Sequence, residues 1–428
     1  MMPAAPKTVL ILILVSTVFP LISSGQTTYP GKRDPLLWPF ERSSIWNTPI
    51  GSGAKYIPAK IGPALAYGMT LDEDIIILTP TAPLIPMVVN RAGWDGSKTR
   101  CGSLTTEMMY DIPVPYNFST DPGYDVGTPN MGAAILMPDG NTIKQTQPFH
   151  RCGIGGTATS QYKFNDVDLF GPGVEGAHGG SGLSAFGGTL RVHELRKDSE
   201  ILHVMKINIY AAKYFSYKQD GSPGYRWPAK NSDSYASENY GSKGTPPAEM
   251  EMGALLALLP EFPLDKLRTE PAKILAKAFK NYGAYVVDDT FWDVYAIDVE
   301  WGPNGRFSDT FYKDWGFPFA VSDLSSCTVE TQECKWSKDM ADIFTSLQAV
   351  NNNSASNIGG GGVPRAPLAP DFGNPGIGVY VPPITGIQRI ETSRNTEKHF
   401  LSPSHWYGTK AWSNLVGRTL KNFARTMK

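Results

Sequence analysis

A histidine in a glycine-rich loop is the residue of this sequence best suited to proton transfer. His178 lies in Glu175–Gly182, which reads Glu-Gly-Ala-His-Gly-Gly-Ser-Gly. Glycines let the backbone approach a ligand closely, and histidine titrates near neutral pH. We therefore interpret His178 as a candidate general acid or base, with Ser181 as a candidate substrate-binding residue in the same run. The alternative is a loop histidine that bonds to nearby backbone.

Two glutamines indicate a polar strand face. Thr142–Gln147 follows the turn signal Pro138-Asp-Gly140, so it predicts the second strand of a hairpin that begins at Ala133–Met137. Gln145 and Gln147 share one face of that strand. A core would place apolar side chains there, so we expect the two glutamines to meet a polar ligand in a cleft. The alternative is an ordinary solvent-facing sheet surface.

Several carboxylates are candidates for glycosidic-bond chemistry. A glycosidase needs two carboxyl groups about 5 to 9.5 Å apart. Glu194, which is flanked by arginines, is either one of them or a surface ion-pair partner. Asp139, Glu175 and Asp288 are the candidates for the second. Asp288 and Asp289 also fall at the tip of a predicted hairpin, where we interpret both as turn residues.

An aromatic loop is the remaining candidate for ligand contact. Tyr225, Trp227, Tyr235 and Tyr240 lie among small polar residues, and Arg226 precedes the tryptophan. Flat rings with a polar group can stack on sugar faces while polar neighbours bind the hydroxyls. The alternative is that Trp227 packs the loop onto the domain.

Cofactor motifs are weak. Asp166 and Asp168 resemble part of a calcium loop, but the EF-hand spacing and its terminal glutamate are missing. Gly171–Gly176 and Gly153–Ala158 match dinucleotide-binding patterns without the strand that should precede them. Gly182–Phe186 lacks the second glycine of a nucleophile elbow, which leaves a secreted esterase as a remote alternative. We predict no cofactor, with calcium at Asp166 and Asp168 the one exception considered.

Bulk features indicate an exported protein. Lys7, the apolar run Val9–Leu21 and the small residues Ser23–Gly25 are typical of a signal peptide. No second apolar run of spanning length follows, so we expect a secreted or periplasmic protein without a membrane partner. The chain has 39 basic and 40 acidic residues, and this balance disfavours nucleic-acid binding. The oligomeric state is left open.

Four cysteines are compatible with an oxidising compartment and two disulfides. Cys327 and Cys334 are near enough to close a short loop, in which case Cys101 would pair with Cys152. Three connectivities are possible, and the sequence does not choose among them.

The elements that must position these residues indicate a mainly β protein, either a β-sandwich or jelly-roll-like, with a few helices; the alternative is α+β. Ile201–Tyr210 predicts a strand, and Ala284–Asp288 with Trp292–Val299 predicts a second hairpin. A helix is expected between the N-cap Thr269 and the terminating Gly283. We also predict a short helix at Ser181–Phe186, and a strand or buried helix somewhere in residues 250–259.

The chain divides into four segments. We predict a signal peptide over residues 1–25, a main β-rich catalytic or binding domain over 26–350, a flexible loop or linker over 351–370, and a C-terminal segment over 371–428 that packs on the main domain. The Asn-, Gly- and Pro-rich patches of the third segment are typical of a loop.

Four blocks resemble a family of exported bacterial proteins whose activity is not established. They are Ser44–Pro49, Gly180–Gly188 with the following Arg191–Leu195, Tyr225–Pro228, and Asn281–Asp289. The resemblance implies one integrated unit rather than a string of modules, and it carries over no catalytic role.

Together these features predict a secreted enzyme that acts on a polysaccharide. In a lyase, His178 would abstract a proton beside a uronate carboxyl group positioned by Gln145, Gln147 and Arg226. In a hydrolase, Glu194 and one further carboxylate would act. The alternatives are a non-catalytic glycan-binding or cell-surface protein and, third, the esterase.

Overall fold

The computed structural model of the protein describes residues 29–65, 68–94, 98–102, 104–120, 129–218, 221–321, 327 and 330–373. Its strands are β1 (Tyr56–Pro58), β2 (Met69–Ile77), β3 (Leu84–Asn90), β4 (Leu104–Pro113), β5 (Ala133–Leu136), β6 (Thr142–Gln147), β7 (His150–Arg151), β8 (Ala158–Ser160), β9 (Tyr162–Lys163), β10 (Val167–Asp168), β11 (Met205–Ile209), β12 (Leu255–Ala257), β13 (Ala284–Asp289), β14 (Tyr295–Gly302), β15 (Gly305–Arg306) and β16 (Gln348–Val350). The α-helices are α1 (Ala211–Tyr214), α2 (Ala236–Asn239), α3 (Glu270–Asn281), α4 (Phe307–Trp315) and α5 (Gln332–Thr345). Single 3₁₀ turns occur at Leu264–Lys266 and Ile358–Gly360.

The described strands form two sheets. The larger one has twelve strands in the order β1-β16-β12-β13-β11-β14-β2-β5-β6-β10, with β15 added to β14 and β9 to β6. The smaller one has the order β4-β3-β8-β7. Both sheets mix directions: β11 is parallel to β13 but antiparallel to β14, and β3 is parallel to β8 but antiparallel to β4. The prediction of a mainly β protein with a few helices is confirmed.

Alternating side chains of the central strands separate the core into layers. Ile75 and Ile77 of β2 pack between the two sheets, whereas Ile76 faces the opposite side. On β11, Ile207 belongs to the apolar cluster that also contains helices α3, α4 and α5. The neighbouring Lys206 is fully buried on the other face. The central strands are therefore covered on both sides, which lets a buried polar row form in the middle of the sheet.

The hairpin predicted around Pro138-Asp-Gly140 is confirmed as β5 and β6, joined in antiparallel register. The carboxylate of Asp139 accepts hydrogen bonds from the backbone N–H groups of Asn141 and Thr142, at 2.9 and 2.8 Å. Gly140 has a φ of +71°, which a residue with a Cβ adopts only at a cost. Local turn chemistry thus fixes the register that brings the two glutamines to one face.

The helix predicted between Thr269 and Gly283 is confirmed as α3, with Thr269 at the N-cap. Its cap is unusual, because the Thr269 hydroxyl donates to the buried carboxylate of Asp339 on α5 at 2.7 Å. Gly283 has a φ of +75° after the last turn. The cap residue therefore also ties two helices together.

Two local predictions are wrong. The strands β13 and β14 do not form a hairpin, because β11 lies between them and pairs with both. Residues 181–186 form turns rather than a short helix. The predicted strand at Ile201–Tyr210 is confirmed in a shorter form, as β11, and the ambiguous run at residues 250–259 contains the strand β12.

The polar segment after β16 lies against the rest of the fold. The N–H of Ser52 donates to Val363 O at 2.8 Å, and the Arg365 guanidinium donates to the carbonyl of Lys280 at 2.9 Å. All described residues lie in one compact unit. The predicted signal peptide, and the predicted C-terminal segment beyond residue 373, lie outside the described residues.

Two disulfides join Cys101 to Cys152 and Cys327 to Cys334. This selects one of the three connectivities that the sequence left open. Within the described ranges, no helix combines the length and the apolar character needed to cross a bilayer.

Candidate functional site

The glycine-rich loop that carries His178 crosses one face of the larger sheet. Gln145 of β6 holds this loop in place. Its Oε1 accepts hydrogen bonds from the N–H groups of Ala185 (2.8 Å) and Ala177 (3.3 Å), and its Nε2 donates to Glu175 O at 3.0 Å. Both ends of the Gln145 amide are therefore used to position the loop.

Under the loop, the sheet presents buried polar side chains where a core would be apolar. The parallel register of β2 and β14 aligns Asp72 with Asp298 and Asp74 with Glu300. Because side chains alternate along a strand, these four lie on one face. The polar side chains that the central strands contribute to this face are Asp72, Asp74, Lys206, Asn208, Asp288, Asp298 and Glu300.

Asp288 reaches this face because of a β-bulge. Lys206 of β11 pairs with Tyr285, but Asn208 pairs with Asp288, so β13 has one extra residue between the two pairs. A bulge of this kind reverses the alternation beyond it. Without it, strict alternation would turn Asp289 toward the loop and Asp288 away from it.

His178 lies among three of these carboxylates. Its Nε2 forms a hydrogen bond with Asp298 Oδ1, and its Nδ1 lies 3.9 Å from Asp288 Oδ2. The Asp298 side chain is completely buried and that of His178 is 5% exposed, whereas Asp288 is 21% exposed. Asp72 is also partly exposed. Two partly exposed carboxyl groups therefore lie beside the buried imidazole, and we call the site formed by His178, Asp72, Asp288 and Gln147 the recess.

The pKa values in this group are strongly displaced. Burial alone would lower the pKa of His178, but the charge and hydrogen bond of Asp298 raise it to about 10. Burial, together with the charge of Asp298, raises the pKa of Asp72 to about 7. Burial and the neighbouring Asp233 and Asp72 hold the pKa of Asp288 well above its usual range. Both accessible carboxyl groups, Asp72 and Asp288, therefore hold protons more strongly than an ordinary carboxyl group does.

A second buried ion pair, between Lys206 and Asp74, lies on the same face of the sheet. Lys206 Nζ donates to Asp74 Oδ2 at 2.6 Å and to the carbonyl of Ser184 at 2.9 Å. The Thr189 hydroxyl donates to the same Asp74 oxygen at 2.7 Å. Burial raises the pKa of Asp74 in spite of the ammonium group beside it. Lys206 and Asp74 therefore connect the sheet to Ser184 and Thr189, in the segment that follows the glycine-rich loop.

Three residues of this group are spaced as metal ligands are. One ligand atom from each of Asp72, His178 and Asp298 lies within 4.8 Å of the other two. Carboxylate and imidazole ligands suit several divalent ions. An ion bound through His178 Nε2 would have to replace the hydrogen bond to Asp298.

Three buried oxygens around the recess have no hydrogen-bond partner. They are Asp298 Oδ2, Asn208 Oδ1 and Gln147 Oε1. The Asn208 amide donates to Asp72 Oδ2 at 2.9 Å, and the Gln147 amide donates to Asn130 O at 3.0 Å. All three unpartnered atoms are acceptors, and buried acceptors are normally satisfied by a donor.

Two exposed aromatic residues follow Asp288 and Asp289 closely in the chain. Asp289 orders this segment, because its Oδ1 accepts from the backbone N–H of Phe291 at 2.8 Å and its Oδ2 accepts from the Tyr235 hydroxyl at 3.3 Å. Phe291 is 75% exposed and Trp292 is 50% exposed. Exposed aromatic residues beside polar groups are typical of sugar-binding surfaces.

Of the candidates named from the sequence, His178, Gln147 and Asp288 lie at the recess. A Cβ built on Gly179 would lie 3.0 Å from Asp288 Oδ2 and 3.6 Å from Gln147 Oε1. Gln147 and Asp288 therefore line the same side of the loop. Gln145 supports the loop from beneath.

The other catalytic candidates lie elsewhere in the structure. Glu194 is buried against His203, with its Oε2 3.0 Å from His203 Nε2 and 2.9 Å from the N–H of Arg191. Asp139 caps the β5–β6 turn. Glu175 forms an exposed ion pair of 2.9 Å with Lys230.

The remaining binding candidates make structural contacts. Arg226 donates to the carbonyls of Glu249 and Asn351, at 3.1 and 2.8 Å. Trp227 and Tyr225 pack against the core. The carbonyl of Ser181 accepts from the N–H groups of Lys230 and Asn231, and its buried hydroxyl accepts from the N–H of Leu183.

The calcium candidates on β10 and beside it already have partners. Both carboxylate oxygens of Asp166 accept hydrogen bonds from Lys144 Nζ, at 3.0 and 2.9 Å. Asp168 Oδ1 accepts from the N–H of Phe170 at 2.8 Å. The ammonium group of Lys144 therefore occupies the position beside Asp166 where a cation would bind.

Sequence reasoning missed Asp72, Asp298, Asn208 and Lys206. A signal was present for three of them, each a polar residue between apolar ones: Asp298 follows Tyr-Ala-Ile, and Lys206 and Asn208 alternate with Met205, Ile207 and Ile209. Asp72 instead begins the acidic run Asp72-Glu-Asp74. Alternation of that kind predicts a strand with a polar second face. It does not show that three such strands are neighbours.

Comparison with protein-family models, curated proteins and solved structures finds no match to this chain. The functional argument accordingly depends on the geometry of the recess.

Proposed function

We propose that this protein is an exported polysaccharide-acting enzyme that hydrolyses a glycosidic bond by acid–base chemistry at Asp288 and Asp72. The observation that carries the proposal is the pair of partly exposed carboxyl groups beside His178, whose pKa values are both raised by burial and by neighbouring carboxyl groups. Carboxyl groups with strongly raised pKa values beside a charged partner are typical of acid–base catalytic sites.

The two carboxyl groups take different roles. Burial and the neighbouring Asp233 and Asp72 hold the pKa of Asp288 well above its usual range, so Asp288 is the group that donates a proton to the leaving-group oxygen. Asp72, with a pKa of about 7, is the carboxylate that either receives a proton from the attacking water or attacks the sugar carbon. The adjacent imidazolium of His178, held by Asp298, stabilises the Asp72 carboxylate. Asp298 itself is completely buried and acts as a positioning residue.

The surroundings support a carbohydrate substrate. Phe291 and Trp292, which follow Asp289 and Thr290 in the chain, expose aromatic surface. Gln147 has a buried, unpartnered amide oxygen on the same side of the loop as Asp288, and such an acceptor requires a donor like a hydroxyl group. Export is supported by the N-terminal sequence and by the two disulfides, since disulfides persist in oxidising compartments.

The test is turnover of neutral, amino- and uronate-containing polysaccharides, with reducing ends and ultraviolet absorbance followed together. We expect reducing ends to increase without absorbance from unsaturated sugars. Asp288→Asn should lower kcat by about 10²- to 10⁴-fold, the range of a lost general acid. Glu107→Gln is the matched control, because it removes one charge from an exposed pair with Arg91 on the smaller sheet; it should leave kcat unchanged.

Other outcomes identify the rival functions. Absorbance that rises with the reducing ends would mean a lyase with His178 as the base. Saturable binding without turnover would mean a glycan-binding or cell-surface protein. Labelling of Ser184 or Ser181 by an organophosphate would indicate the esterase, for which the two buried hydroxyls would first have to become accessible.

A further inference from the structure

Four carboxyl groups at the recess have little cationic compensation. The two carboxylates beneath them are paired, Asp74 with Lys206 and Asp298 with His178. The four groups nearer to solvent are Asp72, Asp233, Asp288 and Asp289. Among the described residues, the only cationic side chain within 4.0 Å of any of these four is His178, at 3.9 Å from Asp288. The recess therefore has more carboxyl groups than cationic side chains.

The unpartnered polar atoms at the recess also favour a ligand that donates hydrogen bonds. Asp298 Oδ2, Asn208 Oδ1 and Gln147 Oε1 belong to residues that are at most 5% exposed, and each is an acceptor without a donor. Gln147 and Asn208 are uncharged, so this observation is independent of the acidic cluster. A ligand that satisfies such a site must bring N–H or O–H groups, and positive charge strengthens these bonds.

From this pattern we propose that the recess recognises a sugar bearing a free, protonated amino group, so that the preferred substrate is an amino-sugar polysaccharide. The inference rests on the proposed hydrolase function and specifies its substrate class. A primary ammonium group offers three donors and one positive charge. It would lie beside the glycosidic bond on which Asp288 and Asp72 act, with the Asp72 carboxylate as its anionic partner and Gln147 Oε1 as a neutral acceptor.

The same features disfavour two other sugars. A uronate brings a carboxylate to a site rich in carboxyl groups, and the buried cationic side chains Lys206 and His178 are already paired with Asp74 and Asp298. An N-acetylated sugar loses the charge and two of the three donors, and its carbonyl adds an acceptor where acceptors are already in excess.

The experiment compares binding of four monosaccharides to the full-length mature protein: glucosamine, N-acetylglucosamine, glucose and glucuronate. None has a glycosidic bond to cleave, so binding is measured apart from turnover by NMR titration. We expect glucosamine to bind at least about tenfold more tightly than the others, the scale of one charge-assisted hydrogen bond. Asp72→Asn should reduce this preference to about twofold, and Gln147→Met should weaken it. Glu107→Gln should preserve it.

Each result decides between the alternatives. Equal binding of glucosamine and glucose, or tighter binding of glucuronate, would overturn the amino-sugar inference. So would a preference that disappears with a chelator and returns with Mg²⁺, Ca²⁺ or Mn²⁺, because the bound cation would then be a metal ion. Turnover of neutral polymers without a preference for amino sugars would support the hydrolase function and contradict the amino-sugar subsite. A preference for glucosamine without turnover of any polymer would support the subsite and contradict the hydrolase function.

Discussion

The hydrogen bond between Asp298 and His178 is the interaction on which the proposed site depends most. Asp298→Asn removes the charge behind the imidazole and keeps the size of the side chain. The pKa of His178 is about 10 rather than 6.5 because of that charge. This difference corresponds to roughly 5 kcal/mol at about 1.4 kcal/mol per pKa unit. It agrees with the ~3–5 kcal/mol that is lost when one partner of a buried ion pair is removed.

We therefore expect the pKa of His178 to fall to 6.5 or below in Asp298→Asn, since burial then acts alone. A group with a raised folded-state pKa contributes stability below its unfolded pKa and loses that contribution as pH rises through the folded value. The difference in unfolding free energy between wild type and variant should thus be about 3–5 kcal/mol at pH 6 and should decrease toward pH 10. Denaturant unfolding measures the free energy, and histidine NMR, assigned with His178→Gln, measures the pKa.

Two results would refute this reasoning. One is a pKa of His178 that stays above about 8 in the variant, because another group would then hold the proton. The other is a stability loss below about 1 kcal/mol at pH 6, the size expected for a surface pair. If Asp298→Asn does not fold, Asp288→Asn serves instead and should lower the pKa of His178 by a smaller amount, because Asp288 lies farther away.

Three further predictions follow from other parts of the structure. Glu194→Gln should lower the free energy of unfolding by about 3–5 kcal/mol, with the largest loss between about pH 4.5 and 6.5. Because the pKa of Glu194 is lowered, the ion pair with His203 loses its contribution in acid, and because the pKa of His203 is raised, the contribution is lost again as pH increases. Denaturant unfolding across this pH range measures both limits. Trp292→Ala should raise KM for the polymer by about five- to tenfold with little change in kcat, because an exposed stacking surface is lost; an unchanged KM would place the substrate elsewhere. Gly180→Ala should destabilise the protein by at least ~1–2 kcal/mol and lower activity, since φ is +62° and the added Cβ would lie 2.8 Å from Asp288 Oδ1; a variant as stable as wild type would contradict the loop geometry.

The parts of the fold that the sequence predicted are local. The β5–β6 hairpin depends on the turn residues between its strands, and α3 depends on Thr269, Gly283 and an apolar stripe of its own. The predicted hairpin of β13 and β14 failed because the strand that separates them, β11, comes from residues 205–209, far earlier in the chain. Short connections favour pairing of successive strands, and tertiary insertion overrode that preference.

The candidate site was predicted in part for the same reason. His178 and Gln147 were found from local features, a glycine-rich loop and a polar strand face. Gln145 was predicted to bind a ligand for the same reason, but its side-chain amide forms hydrogen bonds with backbone groups of the loop. The carboxylates at Asp72 and Asp298 were missed, since Asp72 lies in an acidic run before the predicted strand Ile75–Leu78 and Asp298 follows an apolar run in β14.

The amino-acid sequence by itself determined the mainly β composition, the first hairpin, the helix α3 and the histidine in its glycine loop, because turns, caps and alternation act between neighbours along the chain. Only the tertiary structure decided which residues surround that histidine. The order β13-β11-β14-β2 aligns Asp298 with Asp72, and one bulged residue in β13 turns Asp288 toward the same face. Strand order and register are set by the packing of the whole core, and a displacement of one residue reverses the face of every side chain beyond it.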